Sequence, residues 1–472
     1  MTHSSTAETS TDRVMEHIRA EIVRRRPGER LPSTRALVET HGVSPVTVTR
    51  SLAILTAEGL VVTRPGAGSY VAEPPADREP VDHSWQTLSL GWRPLEVDGL
   101  GSVLDPSNDE QDISLALGYL HPALMPIRAL GAALARAARL PDAWDRPPLT
   151  GLHGLRAWFA RAAGPGVDPA DVLITPGGQG GISTVLRALV ASGEPLLFES
   201  PSYPGAVAVA RMAGIRAIAV PSDRDGIIPE LLAESFARSG ARAVYLQPTY
   251  QNPTGSVLTP ARRQAVLEVA AAAGAFVIED DFGRWLGHGQ PTPRSLLADD
   301  HEGRVISITS LTKTASPSLR IGAVIARGPV AARLKAMRVV DDMFVARPIQ
   351  EATVDLVSRP SWERHERALA AALASRSVAL AQAIAEQLPA VDLTARPRGG
   401  MHLWVRLPAG ADDVAIAKAA ARHGVTVSPG RPFFPAEPPH PYLRLTFSAA
   451  PTEAHLAVAV GRLADAAPEL VG

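Results

Sequence analysis

The sequence predicts an α/β fold in two folded parts. A small unit of three helices and a hairpin comes first, followed by a large, mainly parallel sheet covered by helices and a smaller C-terminal α/β domain. Three observations predict it. From about residue 110 onward, short apolar runs at 195–199, 243–247, 276–279 and 304–309 alternate with Ala-, Leu- and Arg-rich helical stretches, the pattern of strands joined by crossover helices. Residues 11–72 instead hold helical periodicity followed by two β-branched runs around a Gly-rich turn. At 472 residues the chain is longer than one hydrophobic core normally serves. The division that follows is 1–72 for the small unit, 73–110 for a linker, 111–345 for the large domain and 346–472 for the small domain.

In the small unit, Val14, Ile18 and Ile22 recur at helical spacing and give one apolar stripe. Thr11 or Asp12 is the expected N-cap, and Arg24-Arg25-Arg26-Pro27-Gly28 ends the helix. Pro32-Ser33 starts a second, short helix with Leu37 inward and Gly42 in the turn after it. Ser44 as N-cap with Pro45 at the first helical position opens a third, where Val48, Leu52 and Leu55 face inward and Thr47, Thr49 and Arg50 face out. Runs at 60–63 and 69–71 flank Pro65-Gly66-Ala67-Gly68 and read as a hairpin.

Helix, helix-turn-helix and hairpin make a winged helix. Its wording, Gly28-Glu29-Arg30-Leu31-Pro32-Ser33-Thr34-Arg35, Gly42-Val43-Ser44-Pro45-Val46-Thr47-Val48, Leu55-Thr56-Ala57-Glu58-Gly59-Leu60 and Gly66-Ala67-Gly68-Ser69-Tyr70-Val71, resembles the GntR family. The resemblance implies that the third helix enters the major groove of double-stranded DNA, with Ser44, Thr47, Thr49 and Arg50 toward base edges. It also implies that Arg30, Ser33, Arg35 and Arg64 hold phosphates, which position the unit without reading sequence. The family usually has Arg after the capping Ser; here Pro45 stands there, so affinity leans on Arg50 and Arg64.

Composition narrows the class. Formal net charge is -1, so the overall balance argues for no nucleic-acid or membrane partner, although an average can hide a local basic face. No cysteine is present, which excludes disulfides, thiolate metal sites and cysteine nucleophiles, and no metal site is expected. The polar start MTHSSTAETSTD is unlike a signal peptide, and no apolar run reaches membrane-spanning length, so a cytoplasmic protein is expected. Residues 73–110, rich in Pro, Asp and Gly, read as a linker. No internal repeat is visible.

Lysine occurs only three times, at 313, 335 and 418, in a chain that writes almost every cation as Arg. Lys313 lies in Ser310-Leu311-Thr312-Lys313-Thr314-Ala315-Ser316-Pro317-Ser318-Leu319-Arg320-Ile321-Gly322. Imine chemistry needs a primary amine that can lose its proton, which a guanidinium does not do. The run resembles the lysine motif of fold-type I aminotransferases, S-x-[ST]-K-x-x-x-P-x-x-R-x-G, which implies pyridoxal 5'-phosphate (PLP) held on Lys313.

Other stretches at expected strand ends fit the same resemblance. Thr175-Pro176-Gly177-Gly178-Gln179 precedes an apolar helix, and the family implies Gly178 and Gln179 at the phosphate, with Ser310, Thr312 and Arg320 beside them. Glu199-Ser200-Pro201-Ser202-Tyr203-Pro204-Gly205 is similar to E-x-P-x-Y-P-G, whose Tyr, here Tyr203, stacks on the pyridine ring. Asn252-Pro253-Thr254-Gly255 matches the segment whose Asn donates to the phenolic oxygen. Asp280, ending the run 276–279, matches the acid that keeps the pyridine nitrogen protonated, and Asp281 is expected to turn the chain. Tyr442-Leu443-Arg444-Leu445-Thr446-Phe447 resembles the strand whose Arg, here Arg444, binds the incoming α-carboxylate. Gly399 to Trp404 and Val427 to Gly430 fit the small domain's landmarks.

A GntR-type winged helix fused to an aminotransferase-like domain resembles the MocR/GabR-type transcriptional regulators. That family implies a PLP-bound regulator sensing an amine, an amino acid or PLP, and a head-to-tail homodimer. Three departures argue against efficient transamination. Phe282 stands where a Tyr donor is common, Trp285 falls in a segment that usually carries an acid, and Arg146 stands where a Tyr often reaches the partner subunit's phosphate. The alternatives are a working aminotransferase with an accessory winged helix, and a regulator whose PLP domain is only a scaffold.

Overall fold

The computed structural model describes residues 9–73, 82–90 and 111–472; the polar start at 1–8 and most of the expected linker, 74–81 and 91–110, lie outside the described residues. The chain divides into two compact units, 1–94 and 95–472.

In the first unit, α1 (Ser10–Val23), α2 (Thr34–His41) and α3 (Pro45–Ala57) are followed by β1 (Val61–Arg64) and β2 (Gly68–Val71), an antiparallel hairpin. The N-cap of α1 is Thr9 and not Thr11 or Asp12. Asp12 is the third helical residue, and its carboxylate accepts from the Thr9 backbone while Thr9 Oγ1 accepts from the Asp12 backbone. Ser33 and Ser44 cap α2 and α3 as their sequence signals require, and Gly42 takes the left-handed φ of +61° that ends α2. Val14, Ile18, Leu37, Val48, Leu52 and Leu55 bury together with Leu31, Val61 and Val71. Each such side chain contributes about 1.5–3 kcal/mol. A helix at Ser84–Leu90, led by Asp82 accepting from the Ser84 amide, stands where the sequence read only linker.

The second unit contains an eight-stranded sheet in the order β4-β11-β10-β9-β8-β5-β6-β7. In chain order, β3 (Ile113–Ser114) precedes β4 (Val172–Thr175), β5 (Pro195–Ser200), β6 (Arg216–Asp223), β7 (Gly226–Ile227), β8 (Ala243–Leu246), β9 (Phe276–Asp280), β10 (Val305–Ser310) and β11 (Gly322–Ile325). Strands β10, β9, β8, β5 and β6 pair in parallel, while β11 and β7 run antiparallel to their neighbours. Residues alternate between the two faces. Ile174, Leu197, Val244, Val277 and Val305 join one core, and Leu173, Phe198, Tyr245, Ile278 and Ile306 join the other. That is why the strands read as unbroken apolar runs.

The C-terminal part adds β12 (Asp392–Leu393), β13 (His402–Arg406), β14 (Val425–Thr426), β15 (Ser428–Pro429) and β16 (Tyr442–Thr446), with an antiparallel sheet in the order β12-β13-β16-β15. Its core also takes Ile113, Leu115 and Leu120, because β3 pairs in parallel with β14. Conversely, Ala352, Leu356 and Trp362 pack into the large core. Packing therefore groups these stretches otherwise than a single cut after 345 would.

The helix Pro360–Gln387, 28 residues, is by length and composition long and apolar enough to cross a membrane, contrary to the sequence expectation that no run reaches that length. It is built as a core helix. Leu369, Leu373, Leu380 and Ile384 are buried in the second core, and Arg376 in its middle donates to the carbonyls of Ala450 and Pro451.

Candidate cofactor site and candidate nucleic-acid interface

The carboxyl ends of β4, β5, β8, β9 and β10 deliver the residues singled out in the second unit. After β4, Gly177 has φ +79° and starts the helix Gly177–Leu189, whose first turn has no side-chain cap. A Cβ on Gly177 would meet the Arg320 guanidinium at 2.8 Å, so only glycine lets that cation lie over the helix start. Arg320 Nη2 donates to the Pro176 carbonyl at 2.7 Å. Ser310 Oγ donates to Thr312 Oγ1 at 2.8 Å, and Gly178 lies against the Ser310 side chain. Gly178, Ser310, Thr312 and Arg320 are thus brought to one helix N-terminus.

Tyr203 donates to Gln179 Oε1 at 3.0 Å, and Gln179 Nε2 donates to the Gly205 carbonyl at 3.1 Å. The Tyr203 ring lies over Gly205, where a Cβ would stand 2.4 Å from the ring. Burial and the nearby Asp280 push the Tyr203 hydroxyl well above its ordinary value, so it remains a donor.

Asp280 ends β9, buried, and accepts from Tyr245 Oη at 2.5 Å and Gln247 Nε2 at 2.7 Å. Burial raises its pKa, against these two donors, the Phe282 amide and Lys313, which all favour the anion. Neither Tyr245 nor Gln247 was singled out from sequence; the signal was a Tyr and a Gln two residues apart closing an aliphatic strand. Asp281 ties the following loop by an ion pair with Arg284. Phe282 packs against the small-domain core, and Trp285 stacks on Trp158 at 5.1 Å in the large core. The indole that replaces an acid is a packing residue.

Lys313 is half-buried. Its Nζ donates to the Gly118 carbonyl at 2.7 Å and lies 3.9 Å from the centroid of the Tyr119 ring. Burial, with Arg444 and Arg320 also lowering it and Asp280 opposing, brings its pKa down to about 7.

Arg444, on β16, is buried and lies over the Phe433 ring. Its Nη1 donates to Asn252 Oδ1 at 3.2 Å and its Nη2 to the Ala116 carbonyl at 2.5 Å and Ser428 Oγ at 3.2 Å. Nε has no partner, and no ion pair to Arg444 is found among the described residues. Burial lowers its pKa to about 10. His402, buried and bonded through Nδ1 to Thr446 Oγ1, is held well below its ordinary pKa by burial, Arg444 and Lys313. Gly118, Tyr119, His402 and Phe433 were not singled out as site residues, because their chain segments come together only through β3 and the small sheet.

In the first unit, Ser33 Oγ accepts from the Ala36 amide, Ser44 Oγ from the Thr47 amide, and Thr49 Oγ1 donates to the Pro45 carbonyl. Thr47 Oγ1 is bonded to Ser44 Oγ, and Arg35 pairs with Glu39. The Ser33 and Ser44 hydroxyls cap helices, while that of Thr49 bonds back within α3. Arg30 runs alongside Gly68 of the hairpin, Arg64 lies 4.8 Å from the centroid of Tyr70, and Arg50 is exposed on α3. Arg50 on α3 and Arg64 on the hairpin are both exposed cations.

Residues 126–463 match the family described as aminotransferase class I and II. The chain belongs to that family. These aminotransferases are PLP-dependent, and this member carries ahead of the domain a match, over residues 10–71, to the gntR family of bacterial regulatory proteins, a DNA-binding domain. The whole arrangement is similar to the uncharacterized HTH-type transcriptional regulator YjiR of Escherichia coli (strain K12), 30% identical over 420 residues covering 86% of this chain and 88% of that one. It is also similar to the HTH-type transcriptional regulator TauR of Rhodobacter capsulatus, 28% identical and covering 90% and 89%. Among solved structures, the aminotransferase part is similar to LysN, the α-aminoadipate aminotransferase of Thermus thermophilus in complex with N-(5'-phosphopyridoxyl)-L-leucine. The TM-score is 0.74 at 28% identity, covering 80% of this chain and 96% of that one.

Proposed function

We propose that this chain is a transcriptional regulator that holds PLP on Lys313 and answers to a primary amine bearing a carboxylate, or to PLP itself, by changing its grip on operator DNA. The observation that carries the proposal is Arg444. A buried guanidinium without a carboxylate partner is costly, by several kcal/mol, and is kept where an anion is to be received. It stands by a lysine whose amine is half neutral near pH 7.

The residues fit PLP. The Gly177–Gly178 helix start with Ser310, Thr312 and Arg320 suits the phosphate, because amides and a guanidinium converge there. The Tyr203 ring is set to cover one face of the pyridine. Asn252 has its amide oxygen engaged by Arg444, which leaves its NH2 to donate to the phenolic oxygen. Tyr245 and Gln247 steady Asp280, the residue for the pyridine nitrogen. Bound PLP supplies an electron-accepting ring conjugated to the amine. Arg30, Arg50 and Arg64, with the helix starts at Ser33 and Ser44, are the proposed DNA contacts, together with Arg35, Thr47 and Thr49. A head-to-tail homodimer is part of the proposal.

The test is footprinting on the DNA flanking the chain's own gene, with PLP and then candidate amines added. A protected site whose affinity changes with an amine supports the reading; protection that Lys313→Ala leaves fully responsive overturns it. A second reading, a working aminotransferase, is favoured by the presence of both Lys313 and Asp280 and by the likeness to LysN. Turnover with common amino donors and 2-oxo acids separates the two.

A further inference from the structure

Both cations of the site lean on one short stretch of chain. Arg444 Nη2 holds the Ala116 carbonyl, Lys313 Nζ holds the Gly118 carbonyl, and the Tyr119 ring faces the same ammonium. The stretch is fastened to the small domain. The Thr446 amide donates to the Leu115 carbonyl at 2.7 Å, Ser448 Oγ to the Tyr119 carbonyl at 2.9 Å, and the His121 amide to the Ser448 carbonyl at 2.8 Å. By chain continuity it is also the stretch through which the second unit connects to the GntR-type unit.

A carboxylate binds a guanidinium best through two parallel N–H groups. Two edges offer such a pair, Nε with Nη2 and Nη1 with Nη2, and both include Nη2. In Arg444 both Nη2 hydrogens are committed, to Ala116 and to Ser428, while Nε is bare. A carboxylate seated on either edge must displace one of the two. Ser428 is fixed in β15 by pairing with β16, whereas Ala116 lies just beyond β3 with no strand pairing of its own. Ala116 is the one to yield. The Lys313 contact with Gly118 and the Tyr119 ring answers to a separate event, because capture of PLP on Nζ removes the ammonium before any carboxylate arrives.

We propose that residues 115–121 are an internal stand-in for the ligand. The Ala116 carbonyl occupies the carboxylate subsite on Arg444 until the carboxylate of a bound amine takes it, and the displaced stretch passes that event to the chain leading to the DNA-binding unit. This rests on the site reading given above.

The chain has no cysteine, so Leu117→Cys gives the full-length protein one maleimide-reactive position in the stretch. Two probes differ only in the carboxylate: N-(5'-phosphopyridoxyl)-L-leucine and N-(5'-phosphopyridoxyl)-3-methylbutylamine. The leucine conjugate is expected to speed labelling about ten-fold and the amine conjugate to leave it within about two-fold of the unliganded rate. Deuterium uptake by backbone amides 113–121 of the unaltered chain gives the same comparison should the variant fold poorly. Equal responses to both probes, each shown to be bound by its absorbance, overturn the stand-in. Failure to retain the leucine conjugate at all overturns the site reading instead, and the stand-in with it. Ser448→Ala, which loosens the stretch from outside the site, is expected to raise basal labelling and to shift DNA affinity toward its value with the leucine conjugate. Raised labelling with unchanged DNA affinity overturns the transmission.

Discussion

Lys313 should capture PLP with a pH midpoint near neutrality, and the structure says how large that advantage is. Burial, then Arg444 and Arg320, bring its amine from the ordinary 10.5 to about 7. At pH 7 about half of it is neutral, against about 3 in 10,000 for an ordinary lysine, so the reactive amine is enriched about a thousand-fold. The capture rate falls as pH drops through 7, because the ammonium is not a nucleophile, and levels off above it. Arg444→Ala removes the largest electrostatic contribution to the depression, so the midpoint must move up. A midpoint of about 8 in the variant would leave about a tenth of the amine neutral at pH 7 and slow capture about five-fold. The assay is the absorbance change on mixing PLP with the apoprotein between about pH 5.5 and 9.5, followed by borohydride trapping and peptide mapping. A wild-type midpoint above about 9, a variant midpoint that moves down, or an adduct on Lys335 or Lys418 would refute the reasoning.

Three further outcomes are expected. Arg444→Ala should lower affinity for a carboxylate-bearing effector by about 30-fold or more, the consequence of losing a desolvated ion pair of about 2–5 kcal/mol, with full PLP occupancy at saturation. Titration of the DNA response checks it, and an unchanged midpoint would mean that the effector lacks a carboxylate or is PLP itself. Gly205→Ala should displace the Tyr203 ring, since its methyl would fall 2.4 Å from that ring, and should weaken PLP retention in dialysis while the far-ultraviolet spectrum stays native. Arg50→Ala and Arg64→Ala should each weaken DNA binding and flatten its salt dependence by about one logarithmic slope each, with PLP loading unaltered. Gel shifts at graded salt measure this.

Much of the fold was legible because its signals are local. Ser33, Ser44 with Pro45, and Gly42 mark helix ends by capping chemistry that acts within a few residues, and the strand runs at 195–199 and 276–279 needed only one residue more at the end. The cap at Thr9 was missed because Asp12, its partner in a reciprocal pair, is itself a good capping residue. In the site, Lys313, Asp280, Tyr203 and Arg444 each sit in a contiguous motif. Tyr119 and His402 do not. They lie nearly 300 residues apart in sequence: Tyr119 reaches Lys313 because the two-residue β3 carries its segment against β14, and His402 lies near it because β13 pairs with β16. Trp285 looked like a change in site chemistry, whereas its stacking partner Trp158, far upstream, makes it part of the core.

The pairing of β3 with β14 bears on where this protein can be cut. The family match begins at 126, yet a fragment starting there would lack Ile113, Leu115 and Leu120, all buried in the small-domain core, and would leave the Val425–Thr426 edge unpaired. It would also strip Arg444 of its Ala116 acceptor, leaving a buried guanidinium poorer by a hydrogen bond. A fragment starting at 111 keeps all of these. The aminotransferase part is thus completed by residues that the family match leaves out, and its independence as a folding unit begins at least thirteen residues ahead of where that match does.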